Sequence, residues 1–145
     1  MTRLNAALFA AAALYATSAA SAGAQPNPVL YLTHLEYFTL NGQNLVRYRY
    51  DVFNKDQYPA AMFAAAPGLP PCGNNANSSR SWVEFFENRT NRRLQGFCAL
   101  GTPANLNGIW FALPEGQVPP SYVYIKIVDR QTNTTYQSNL ADTTP

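Results

Sequence analysis

The chain has 145 residues, of which 12% are charged and 13% aromatic. So many Tyr, Phe and Trp side chains exclude a disordered chain, because they supply the apolar surface that offsets chain entropy. The formal net charge of +2 includes Arg3 at the N-terminus; without it the balance is close to neutral, which argues against nucleic acid or an anionic membrane as partner.

Residues 1–24 have the three-part layout of a secretory signal peptide. Arg3 supplies the positive start, residues 6–16 are apolar and uncharged, and Ala20, Ser21, Ala22, Gly23 and Ala24 are small. Two A-x-A patterns predict cleavage after Ala24 or Ala22, with Gln25 as the expected mature start. The alternative is an N-terminal membrane anchor, but the apolar run is shorter than the roughly 20 residues that a bilayer span requires. No membrane span is therefore expected after cleavage. What remains, residues 25–145, is the size of one domain with a single core.

Residues 29–40 are rich in β-branched and aromatic side chains, and residues 44–53 alternate, with Val46, Tyr48, Tyr50 and Val52 on one face and Arg47, Arg49 and Asp51 on the other. Asn41-Gly42 separates them, so the two read as a hairpin. Residues 54–80 then form a connection much longer than an ordinary hairpin loop, and such loops are usually functional or tied down. Within it Pro59 opens an Ala-rich stretch to Ala66 that predicts a short helix, stopped by Pro67, Gly68, Pro70 and Pro71.

Five more strands are predicted over residues 81–86, 93–100, 108–113, 122–129 and 134–139. The turn runs 88–91, 105–107, 114–116 and 131–133 divide them. About seven short strands at this spacing, with no long helical periodicity, predict an all-β, antiparallel β-sandwich. Cys72 and Cys98 are the only cysteines. In an oxidising compartment an even pair favours a disulfide, which would anchor the long connection to a strand. A metal site would need more ligands than two Cys and the single His34 supply.

The early aromatic-rich strand pair, Trp82 at the start of a middle strand, and the Pro-rich lead into the strand over 122–127 resemble a fibronectin type III or related immunoglobulin-like domain. Val118, Pro120 and Tyr124 are similar in spacing to the family's lead into a corner tyrosine. Val123, Ile125 and Ile127 make the core face, which places Tyr124 on the other side. The strings Leu69-Pro70-Pro71-Cys72-Gly73, Ser79-Arg80-Ser81-Trp82-Val83 and Gly96-Phe97-Cys98-Ala99-Leu100 resemble small exported bacterial proteins to which no activity is assigned. That resemblance implies a fold and a periplasmic or secreted location, and no reaction.

Catalytic chemistry has few candidates. His34 falls within a strand beside Thr33 and Glu36, with no nucleophile motif near it. The carboxylates, Glu36, Asp51, Asp56, Glu84, Glu87, Glu115, Asp129 and Asp142, offer no pair that spacing singles out. No acid-dense calcium loop occurs, and no cofactor is expected. Asn74, Asn75, Asn77 and Ser78 read as turn material. Three glycosylation sequons, at Asn77, Asn88 and Asn133, matter only in a eukaryotic host.

Two regions carry the binding candidates. Arg89, Arg92 and Arg93 cluster at a hairpin end, where a basic tip suits an anionic glycan or serves solubility. Met62, Phe63 and Leu69 make the long connection apolar, so it either covers an open sheet edge or stays exposed as a partner surface. The expected function is an exported, non-catalytic binding or accessory module for a protein or glycan partner. The alternatives are a small periplasmic hydrolase on the same scaffold, or a structural subunit that joins a partner by strand addition.

Overall fold

The structure is a computed structural model that describes residues 25–72, 78–99 and 101–145. The expected signal peptide over 1–24, the residues Asn74, Asn75 and Asn77, and the strand end at Leu100 lie outside the described residues. Among the described residues eight strands form: β1 Leu30–Leu40, β2 Gln43–Val52, β3 Ser81–Glu87, β4 Arg93–Ala99, β5 Ile109–Pro114, β6 Tyr122–Asp129, β7 Thr134–Gln137 and β8 Ala141–Asp142. They build two antiparallel sheets, β1-β2-β5 and β4-β3-β6-β7, with β8 also on β6. The result is an immunoglobulin-like antiparallel β-sandwich.

Local chemistry explains the strand ends. Asn41 and Gly42 have φ of 51° and 76°, so both central residues of the β1–β2 turn are left-handed, the geometry whose twist matches a two-residue hairpin. A bulge between Leu32 and His34 interrupts the β1–β2 register. The sequence predicts a single last strand over 134–139. Instead β7 ends at Gln137, and the Ser138 side chain continues the ladder by accepting from the Ile125 backbone N–H at 2.9 Å. Asn139 then turns away to β1, its amide accepting from Leu30 N–H at 2.8 Å and donating to Leu30 C=O at 3.0 Å. β8 resumes pairing farther along β6, opposite Tyr122 and Val123.

The core lies between the sheets. Val46, Tyr48, Tyr50 and Val52 face Val83, Phe85, Val123, Ile125 and Ile127, with Ile109, Phe111 and Leu113 completing the first sheet's inner face. Tyr50, Phe85 and Phe111 meet with ring centroids 5.4–6.0 Å apart, a spacing at which tilted aromatic pairs add to simple burial. The buried Tyr50 hydroxyl donates to the Asp142 carbonyl at 2.9 Å. Removal from water pushes its pKa well above the ordinary tyrosine value.

The long connection enters this core. In place of the expected helix from Pro59 to Ala66 there is a single 3₁₀ turn, Ala60–Phe63, because Pro67 and its neighbours follow too soon for a second turn. Tyr58, Met62 and Phe63 are buried, Met62 at 1% exposure and Phe63 at 0%. Backbone bonds hold the segment at both sides, Arg80 N–H to Ala64 C=O at 3.2 Å and Gly101 N–H to Phe63 C=O at 2.7 Å. The run 105–107 is likewise more than a turn: its 3₁₀ turn, Pro103–Leu106, buries Leu106 completely.

Candidate functional site

The Arg-rich tip sits where two connections meet. β3 runs into the turn 88–92, in which Asn91 is left-handed with φ of 56°. Glu87 and Asn91 close that turn, Asn91 N–H bonding Glu87 C=O and Glu87 N–H bonding Arg92 C=O, each at 3.0 Å. Because β3 pairs β6, the turn lies beside the Pro-rich lead into Tyr122. The Asn88 N–H donates to the Tyr122 carbonyl at 3.1 Å, and the Thr143 hydroxyl holds the lead by donating to the Pro120 carbonyl at 2.6 Å.

A hollow of about 420 Å³ opens between turn and lead, walled by Glu87, Arg89, Arg92, Val118, Pro120 and Tyr122 among others. Its charges leave a positive balance. Arg92 lies 3.6 Å from Glu87, and Glu87 also accepts from the Thr90 hydroxyl. Arg89 is exposed and has no carboxylate partner among the described residues. Val118, 86% exposed, and Tyr122 add apolar surface at the rim.

Of the residues predicted from sequence, the structure brings only Arg89 and Arg92 together here. Arg93 is exposed but points its charge at Glu84, 3.3 Å away on β3, and does not line the hollow. Met62 and Phe63 are not a contact surface: the core holds them, since two large apolar side chains are worth about 1.5–3 kcal/mol each when removed from water. Leu69 is half-buried at the outer end of the same connection. Cys72 and Cys98 form the expected disulfide, closing 26 residues of chain. Arg130 donates to the Cys72 sulfur at 2.8 Å and to the carbonyls of Ser79 and Pro70, tying the connection to the end of β6.

Sequence reasoning missed Val118, Pro119, Pro120 and Tyr122 as site residues. The signal was there, a rigid Pro-rich lead with an apolar residue before it, but nothing along the chain says that this lead faces the turn 88–92. That follows only from β3–β6 pairing, in which Phe86 sits opposite Tyr124 and Glu87 opposite Val123. Tyr124 does not act as a corner tyrosine. It lies on the sheet's outer side, stacked on Phe86 at 5.4 Å, and its hydroxyl donates to Asn91 Oδ1 at 2.7 Å, bracing the turn from below.

The remaining polar groups are mostly engaged elsewhere. Glu36 accepts from Arg47 at 3.1 Å and Arg49 at 2.9 Å, and these bonds hold its pKa below the usual carboxylate value. Asp129, buried, is gripped by Arg80 through two bonds of 2.9 and 2.7 Å, which lower its pKa in the same way. His34 is exposed, its Nδ1 3.1 Å from the Thr33 hydroxyl. Among the described residues no group of three or more His, Cys, Asp or Glu is placed to hold a metal ion. No protein-family model, no curated protein and no solved structure matches the chain.

Proposed function

We propose that the chain is an exported, non-catalytic binding module that takes an anionic group, on a glycan or a protein, in the hollow between the turn 88–92 and the lead into β6. The observation that carries this reading is Arg89: a guanidinium with no ion-pair partner among the described residues, in the same concave surface as Arg92 with rigid Pro walls. A guanidinium offers a fork of donors that suits carboxylate and sulfate groups. The disulfide Cys72–Cys98 supports a periplasmic or secreted location.

A hydrolase has less support. Glu36 and Asp129 are each hydrogen-bonded to arginine, which lowers their pKa and makes them poor general acids, and Glu84 and Glu87 are each paired with an arginine within 4 Å. His34 has a hydroxyl neighbour and no carboxylate within ion-pair distance among the described residues. The test is binding to an immobilised sulfated oligosaccharide, with Arg89→Glu and Arg92→Glu as variants. Salt-sensitive binding that the variants weaken about tenfold or more would support the reading. No binding, or binding indifferent to both variants, would sink it.

A second reading is favoured by β1. Among the described residues this strand of 11 residues pairs on one side only, and it exposes Tyr37 at 68% and Leu40 at 55%. Asn139 covers its start at Leu30, but residues 34–40 carry neither Pro nor Lys, the usual guards of an edge. Such an edge suits strand addition by a partner protein. Tyr37→Lys should then abolish recovery of a complex from the exported fraction, whereas an unchanged complex would dismiss this reading.

A further inference from the structure

A second hollow, of about 300 Å³, lies at the mouth of the sandwich between the edge strands β4 and β5. Its composition differs from that of the Arg-rich hollow. Gln95 and Phe97 come from β4, Trp110 from β5, and Asn105 and Asn107 from the connection between them; among the described residues no ionisable side chain lines it. The carboxamides of Gln95 and Asn107 have no hydrogen-bond partner among the described residues.

We propose that this hollow binds a neutral sugar ring, a reading independent of the anion site. The lining argues against a charged ligand, because nothing there compensates a charge taken out of water. It argues equally against a purely apolar ligand, which would strand the carboxamides without partners. A sugar satisfies both kinds of wall. Each carboxamide presents donors and an acceptor to neighbouring hydroxyls. The aromatic rings of Phe97 and Trp110 carry negative faces that attract the slightly positive C–H side of a pyranose. The volume falls at the small end of the range for small-molecule sites.

The site is also held in shape before any ligand arrives. Gly108 is left-handed with φ of 63°, and both its backbone groups are claimed by β2: its N–H donates to Asp51 Oδ1 at 2.6 Å, and its carbonyl accepts from Arg49 Nη1 at 2.9 Å. Leu106, buried between Asn105 and Asn107, anchors the other side of the same turn. The indole of Trp110 is fixed by the Arg47 guanidinium, 4.3 Å from its ring centroid and itself 4.2 Å from the Phe38 ring. The turn and the indole are thus ordered before binding, and only the Gln95 and Asn107 side chains are left for the ligand to order.

The experiment is an NMR titration of the isotope-labelled chain with chitotetraose, cellotetraose and maltotetraose at millimolar concentrations, read at the side-chain amides of Gln95 and Asn107 and the Trp110 indole N–H. At least one sugar should shift these resonances saturably. Gln95→Ala and Asn107→Ala, which remove side chains with no hydrogen-bond partner among the described residues, should weaken binding about tenfold without moving the melting temperature. Arg89→Glu should leave binding unchanged. Silence of these resonances with all three sugars overturns the proposal, as do wild-type affinity in both amide variants or loss of binding in Arg89→Glu.

Discussion

Two connections of this sandwich are rich in proline and apolar side chains, and they end in opposite places. Residues 54–80 carry Tyr58, Met62 and Phe63 inward until all three are buried. Residues 115–121 leave Val118 86% exposed above the Arg-rich turn. The difference is one of reach. Both cross from one sheet to the other, β2 to β3 and β5 to β6, but the first is much the longer and has chain enough to fold back over the open end of the core and fill it. The second goes from β5 to β6 beyond the strand ends, held by Thr143 and Asn88 at its flank. Apolar content alone therefore does not mark a contact surface; the position of a loop relative to the core does.

That contrast is easiest to break at Phe63. Phe63→Ala should cost about 3–5 kcal/mol, as for other fully buried aromatic residues, measured by urea denaturation. A cost below 1 kcal/mol would mean that the connection is not part of the core. Next comes the disulfide. Cys98→Ala should cost roughly 3 kcal/mol for a loop of this length in the chain-entropy model. Because Met62 and Phe63 are packed independently of it, the added amide exchange should concentrate at residues 64–72 and spare residues 58–63. Uniform loosening from Tyr58 onward would show that the bridge, and not burial, holds the connection.

How much of this was visible in the sequence follows the same physics. Period-two alternation in β2 and β6 and the Asn41-Gly42 turn are local signals, and the strands they predict form within a residue or two of the expected bounds. β8 was hidden because the Ser138 and Asn139 side chains supply bonds that a regular strand would make through its backbone, an arrangement with no periodic signature. The burial of Met62 and Phe63 and the meeting of Pro120 with Arg89 depend on which strands pair, and pairing is long-range. Of the Arg-rich site only the arginines could be named in advance. The carboxamide hollow went unnoticed because Gln95, Asn107 and Trp110 stand on different elements and carry no spacing rule.

A smaller effect belongs to Asp129, whose pairing with Arg80 braces the end of β6 near the covered connection. Asp129→Asn should cost about 2–4 kcal/mol, since it leaves a half-buried guanidinium without its counter-charge. The folded-state pKa of Asp129 lies below its ordinary value. Its contribution is therefore complete above the unfolded pKa of about 3.9 and is lost as pH falls through the folded value. Denaturation midpoints of the native protein should decline faster below pH 4 than those of the Asn variant. Parallel acid profiles would show that the pair contributes nothing.

The smallest expected effect is at the exposed loop, and it is the one that separates stability from recognition. Val118→Ser should change stability by no more than about 0.5 kcal/mol, because its side chain gives up almost no buried surface. Arg89→Glu should behave alike in denaturation, as it breaks no ion pair among the described residues. In binding the two should part. The charge reversal removes the guanidinium that an anionic group would face, whereas Val118→Ser trims only apolar rim, so the expected order of loss is Arg89→Glu well above Val118→Ser. Equal losses would assign the hollow to apolar contact and leave the charge incidental. A large drop in stability for either variant would place this loop with residues 54–80, as part of what holds the sandwich together.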